Sequence, residues 1–152
     1  MNRRTLLSLA AAAAAVVSLP SLATASLPQV EVYKNPDCGC CGAWVDHLKA
    51  AGFPVKVNET LDTGPVRKRY GIPDQFGSCH TAVVAGYALE GHVPAEDVKR
   101  LLASKPLAAG LSVPGMPVGS PGMEMGSRKD PFQVLLIDKA GRSSVFANYP
   151  KT

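Results

Sequence analysis

Residues Asn35 to Trp44 read NPDCGCCGAW and put three cysteines, Cys38, Cys40 and Cys41, into four positions. The segment before them, QVEVY over residues 29–33, alternates and is rich in β-formers, which predicts a strand. In the segment after them, AWVDHLKAAG, the residues Trp44, Val45, Leu48 and Ala51 recur at helical spacing, and Gly52 supplies the stop. A strand leading through crowded cysteines into a helix confines the chain more than any other feature. It places the thiols at a helix N-terminus, where partial positive charge and free N–H groups favour thiolate over thiol. Thiolate is both the nucleophile and the metal ligand. The run therefore admits three uses: structural disulfides, thiol exchange or metal binding.

The remaining pattern predicts a small α/β unit. PVKVN, residues 54–58, is a second short strand, and Asp62 caps a helix running through Pro65 to Tyr70, ended by Gly71 and Pro73. TAVVAGYALEGHV contains two short strands turning near Gly86, and Pro94 opens the helix PAEDVKRLLAS with an apolar stripe of Val98, Leu101 and Leu102. Residues 105–130 are dense in Gly, Pro and Met without a period, the composition of a functional or irregular loop. FQVLLID and SSVFANY, separated by Ala140-Gly141, predict a C-terminal β-hairpin extending the sheet. A βαβ unit, a second helix, a hairpin and a last helix make the thioredoxin-like order, with parallel strands covered by helices. No internal repeat or nucleotide-binding glycine motif is present.

The first residues set the compartment. Arg3 and Arg4 precede an apolar run over residues 6–19, and Ala23-Thr24-Ala25 gives the small-x-small pattern of a cleavage site. This is the layout of an export signal, residues 1–25, and the run is short for a span of about 20 residues. The Arg3-Arg4 pair hints at the twin-arginine route. Residues 26–152 are then the mature protein, one periplasmic domain with no membrane attachment. Its net charge falls from +4 to +2 on loss of the two arginines, too small to indicate nucleic acid. Outside the inner membrane, unprotected thiols tend to pair.

The fourth cysteine is Cys79, followed by His80. In a thioredoxin-like fold the loop before the third strand faces the N-terminus of the first helix, which brings Cys79 to the other three. Inert stapling would pair Cys38 with Cys41 and Cys40 with Cys79, since Cys40–Cys41 and Cys38–Cys40 bridges are tight, but it leaves the spacing unexplained. Thiol exchange through the Cys38/Cys41 CxxC fits the position and leaves Cys40 without a role. Thiolate and thioether donors select cuprous copper. Zinc also accepts four cysteines, although three thiols in four positions spread poorly around one tetrahedral ion and suit several sulfur-bridged cuprous ions. After Met1, all the methionines, Met116, Met123 and Met125, lie in the Gly/Pro loop, where there is little core to fill. They are read as metal ligands or as a shield over the cluster. His47 and His92 are expected at the surface, Glu124 either orients a ligand or is solvated, and Trp44 packs the first helix on the sheet.

Three segments together, VYKNPDCGCCGAWVDHL, GSCHTAVVAGYALEGHVPAEDV and GLSVPGMPVGSPGMEM, resemble the CopG family of exported copper-resistance proteins. The likeness extends from about Val30 to Tyr149. It implies a thioredoxin-like fold with a C-terminal extension and a periplasmic site holding Cu(I) through cysteines, as a multinuclear cluster. The family's cysteine motif falls on Cys38, Cys40 and Cys41, its isolated Cys-His on Cys79 and His80, and its methionine loop on Met116, Met123 and Met125. The resemblance further implies handling of the copper redox state, as an oxidoreductase, with periplasmic copper-handling or electron-transfer proteins as partners. VYKNPDC is also similar to arsenate reductases of the thioredoxin-like group, in which one cysteine and a downstream arginine cage stand where this chain has crowded thiols.

Overall fold

The first strand, β1 (Val30–Lys34), buries Val30, Val32 and Lys34 on one side, the alternation expected of a strand between two layers. It leads through Cys38 into helix α1 (Gly39–Ala50), which buries Cys41, Trp44, Val45 and Leu48. The chain then forms β2 (Val55–Glu59), helix α2 (Gly64–Arg69), a 3₁₀ turn at Asp74–Phe76, β3 (His80–Val84), β4 (Tyr87–Glu90), helix α3 (Ala95–Ser104), β5 (Gly110–Ser112), β6 (Phe132–Ile137) and β7 (Ser143–Tyr149). This computed structural model describes residues 25–150. Apart from Ala25, the predicted export signal lies outside the described residues.

The seven strands make one sheet in the order β2-β1-β3-β4-β5-β6-β7. β1 runs parallel to β2 and antiparallel to β3, and Lys34 stands opposite His80. The β3–β4 turn has φ of 46° at Ala85 and 84° at Gly86, two successive positive values as a tight hairpin requires. The protein is thus a mixed α/β fold, as the sequence pattern predicts. α1 ends as predicted, with Gly52 at φ 95° and its N–H donating to the Lys49 carbonyl. α2 begins at Gly64, and Asp62 serves it from outside the helix by accepting the Gly64 N–H at 2.8 Å. No helix among the described residues is long and apolar enough to cross a membrane.

One strand escapes the sequence reading. Within the stretch expected to be loop throughout, β5 is completely buried and pairs parallel with β4 and antiparallel with β6. Three residues are too few to show a period. The sequence trace is Gly110: an ideal Cβ there would lie 1.9 Å from the Ala88 carbonyl oxygen, so only glycine admits the pairing. β5 carries the predicted hairpin, β6 and β7, into the sheet. The main core combines Val30, Val32, Trp44, Leu48, Leu89 and Leu101 with Leu111 and Val134 from these later strands.

Candidate metal centre

All four cysteines meet at the N-terminal tip of α1. Cys38 is the N-cap, and Cys40 and Cys41 lie in the first turn, which contains no acidic side chain. Cys79 reaches them from the loop before β3. Its Sγ lies 3.9 Å from Cys40 Sγ, and Cys40 Sγ lies 3.5 Å from Cys38 Sγ. Cys38 and Cys41 form a disulfide, while Cys40 and Cys79 are free thiols, both partly exposed. The four sulfurs fall within 4.8 Å of one another, close enough to share a metal ion or a small cluster. The two-bridge staple weighed from the sequence is half present: its Cys38–Cys41 bridge is formed, and its Cys40–Cys79 bridge is not.

Cys79 is held by the strands on either side of it. The Glu90 carboxylate, fully buried at the end of β4, accepts the Ser78 N–H at 2.7 Å and the Thr81 hydroxyl at 2.6 Å. It also pairs with Arg67 of α2 at 3.2 Å. One carboxylate therefore grips the residues that flank Cys79-His80. Burial pushes the Glu90 carboxyl upward, and the three donors work against that shift by stabilising its ionised form. Gly91 follows at φ 72°, with the Ser78 side chain and the Val113 carbonyl oxygen each 2.6 Å from where a Cβ would stand. The Ser78 hydroxyl donates to the Gly115 carbonyl of the Gly/Pro/Met loop.

Both histidines near Cys79 are buried. His80 lies 4.4 Å from the Trp44 ring at a tilt of 39° and meets His92 edge-on at 5.1 Å. Its Nδ1 is 3.4 Å from Cys79 Sγ, and among the described residues its Nε2 finds no hydrogen-bond partner. His92 Nε2 is 3.1 Å from Cys79 Sγ, and its Nδ1 is 2.7 Å from the Pro121 carbonyl oxygen. That oxygen only accepts, so Nδ1 carries the hydrogen and the Nε2 lone pair faces the sulfur. Burial pushes His80 down to about 3 and lowers His92 as well, so both rings are neutral near pH 7. Burial first, then the neighbouring Cys40, pushes the Cys79 thiol up to about 12. In the metal-free protein Cys79 is a protonated thiol donating to His92.

The surface role expected for His92 is thus corrected: it is fully buried against Cys79. His47 is corrected too, because its Nε2 accepts the Ala95 N–H at 3.0 Å and so satisfies the start of α3. One sign for His92 lay in the chain, since Gly91-His92 follows β4 directly and β4 is paired to β3, the strand that Cys79 enters. Trp44 packs as expected and also donates from Nε1 to the Val93 carbonyl at 2.8 Å.

The methionine loop covers the site with its backbone. At Gly122, φ 86°, an ideal Cβ would come 2.7 Å from the Cys40 carbonyl oxygen, 2.8 Å from the Trp44 nitrogen and 3.2 Å from His92 Nδ1. Met123 is half-buried beside it, whereas Met116 and Met125 are 52% and 62% exposed. Glu124 is exposed and accepts the Gly122 N–H at 2.8 Å.

Residues 76–123, which include Cys79, His80, His92 and Met116, match a family described as a protein of unknown function, DUF411. Among solved structures, the copper resistance protein CopG in its Form 2 is 45% identical, with a TM-score of 0.77 over 82% of this chain and 99% of that one. This chain belongs to the CopG family. Form 1 of CopG agrees, at 46% identity and a TM-score of 0.77, covering 82% of this chain and 98% of that one. No protein with a curated description matches. The match to CopG takes in nearly the whole of the CopG chain.

Proposed function

We propose that this protein is a periplasmic copper-binding protein for copper resistance, which holds Cu(I) in a multinuclear site built on Cys38, Cys40, Cys41 and Cys79. The observation that carries the reading is the convergence of the four sulfurs within 4.8 Å at a helix N-terminus, in a relative of copper resistance proteins. Thiolates select the soft cuprous ion. In the loaded protein an external thiol reductant has supplied two electrons to the Cys38–Cys41 bridge, opening it to two thiolates, so that all four sulfurs are donors. His80 and Met116, Met123 and Met125 complete or shield the centre. Export of the chain through the twin-arginine-like leader and a thioredoxin-like reading of β1 to α3 belong to the same proposal. The parallel β1–β2 pair and the antiparallel β3–β4 pair support that reading of the fold.

Anaerobic isolation of the reduced protein, metal analysis and absorption at the sulfur and copper edges test the proposal. More than one sulfur-ligated copper per chain is expected, and a metal-free protein with two intact bridges would refute it. Interconversion of Cu(I) and Cu(II), with electron-transfer or copper-handling proteins as partners, is the catalytic extension. Stopped-flow spectra that show no change of copper oxidation state with such partners would reduce the role to storage or delivery.

One observation favours a second reading. The Cys38–Cys41 disulfide at the α1 tip is the oxidised half of a CxxC thiol–disulfide couple. Reduction of insulin disulfides by the metal-free protein, at a rate lost in Cys38→Ser, would favour an oxidoreductase.

A further inference from the structure

Lys34 ends β1 as a cation only 9% exposed, and no role described so far uses it. It shares the core side of the strand with Val30 and Val32, and its register sets it opposite His80 of β3. Its ammonium donates to the Asn35 carbonyl at 2.9 Å and reaches the Pro36 carbonyl at 3.5 Å. The Asn35 oxygen also accepts the Cys38 N–H, at 3.1 Å. That shared acceptor keeps the ammonium within ~6 Å of the nitrogen of Cys38. Among the described residues no carboxylate is paired with Lys34. Glu59, its register neighbour on β2, is exposed and forms no ion pair with it. Taking a cation out of water without an anion beside it is costly. Cys38 and Cys41 carry no charge while they are bridged. Opening the bridge places two ionisable sulfurs beside the ammonium.

We infer that Lys34 is the counter-charge of the ion-free thiolate centre: it favours opening of the Cys38–Cys41 bridge and uptake of the first Cu(I), and is itself no ligand. A nearby cation stabilises thiolate, and a stabilised thiolate pair makes its disulfide easier to reduce. Each Cu(I) that enters cancels one negative charge, so Lys34 matters most before the first ion and less as the centre fills. Over roughly 6 Å at an effective dielectric constant of about 20, such an attraction changes an equilibrium tenfold or more. The Cu(I) step rests on the four-cysteine function proposed above, while the opening of the bridge does not.

The test compares the whole metal-free protein with Lys34→Gln, Lys34→Met and Lys34→Arg. Glutamine keeps a donor for the two carbonyls without the charge, and methionine removes both. Arginine keeps the charge, and Lys68→Met removes an equal charge from the exposed face of α2. Each protein is equilibrated in buffers of reduced and oxidised glutathione. Two glutathione thiols supply the two electrons and leave as glutathione disulfide, and their protons pass to Cys38 and Cys41 or to solvent. Alkylation and mass spectrometry then count bridged chains. Lys34→Gln and Lys34→Met should shift the equilibrium at least fivefold towards the bridge, while Lys34→Arg and Lys68→Met stay within twofold of the unsubstituted protein. Competition with a chromophoric Cu(I) chelator should show the first Cu(I) held at least tenfold more weakly by the two uncharged variants. Should the methionine variant not fold, glutamine against arginine decides alone. An unchanged bridge equilibrium in Lys34→Gln, or an equal shift in Lys34→Arg, would overturn the inference. Failure of the reduced, unsubstituted protein to take up Cu(I) would instead defeat the four-cysteine reading, with the glutathione equilibrium still deciding the role of Lys34.

Discussion

The Pro121 carbonyl oxygen lies 2.7 Å from Nδ1 of His92, and this contact decides which ring nitrogen faces the sulfurs. The accepting residue belongs to the Gly/Pro/Met loop and the ring to the turn after β4. A backbone carbonyl of that loop thus sets the tautomer of a buried imidazole. The neighbouring Gly122 completes the arrangement by seating its backbone on the first turn of α1.

Gly122→Ala should therefore loosen the loop from the cysteines. The added Cβ would meet backbone atoms at 2.7 Å and 2.8 Å, and φ is already 86°. A loss of about 1–3 kcal/mol in urea unfolding is expected. Labelling of Cys40 by a thiol reagent should become faster. Gly86→Ala is the control, because its φ of 84° is similar but nothing lies within 4 Å of the new atom. It should cost about 1 kcal/mol and leave Cys40 labelling unchanged.

Glu90→Ala should destabilise the protein by about 3–5 kcal/mol, the cost of breaking a buried pair from one side. The Ser78 N–H, the Thr81 hydroxyl and the inner face of Arg67 would all lose their acceptor. Glu90→Gln keeps one acceptor oxygen and should lose less. Chemical denaturation of both variants measures the difference.

The metal-free protein should lose stability on acidification through His80. Its folded value of about 3 lies below the ordinary 6.5 because the ring is buried. Between these values the unfolded chain binds a proton that the folded chain refuses, so stability rises with pH across the window. It is complete above about pH 6.5, and the slope inside the window is about 1.4 kcal/mol per pH unit. His92, lowered in the same direction, adds to the acid side of the effect. Denaturation midpoints from pH 4 to 7.5 should show the slope, and His80→Gln should flatten it.

Cys79 should alkylate slowly despite its partial exposure. With its thiol pushed up to about 12 by burial and by Cys40, little thiolate exists at pH 8. Iodoacetamide should modify Cys79 about 100-fold or more slowly than a model peptide thiol, since the thiolate is the reactive form. Peptide mapping of the time course measures this.

The sole tryptophan offers a reporter. The Trp44 and His80 ring centroids are 4.4 Å apart, so a paramagnetic ion bound at Cys79 and His80 lies within quenching range. Emission should fall as Cu(II) is added and return with a chelator.

The parts of this architecture legible in the sequence are those with a local cause. The strand, cysteine run and helix around Cys38 are readable because period, β-formers and the Gly52 stop agree there. Once the element order is known, the approach of Cys79 to Cys40 follows, and the structure brings them to 3.9 Å. β5 is not readable, because its three residues owe their place to space beside Ala88 and not to a pattern. His92 is hidden for a related reason. Its burial depends on a loop residue 29 positions later in the chain, and nothing local in Gly-His-Val announces a ring bonded to Pro121.

Gly110 lets β5 lie flush against β4, and this short seam is where the first four strands are joined to the last two. The strap over the cysteines, residues 113–131, is strung between β5 and β6. Crowding the seam would therefore shift both anchor points of the strap together. A side chain added far from any sulfur would be felt as a change in how tightly the sulfurs are enclosed.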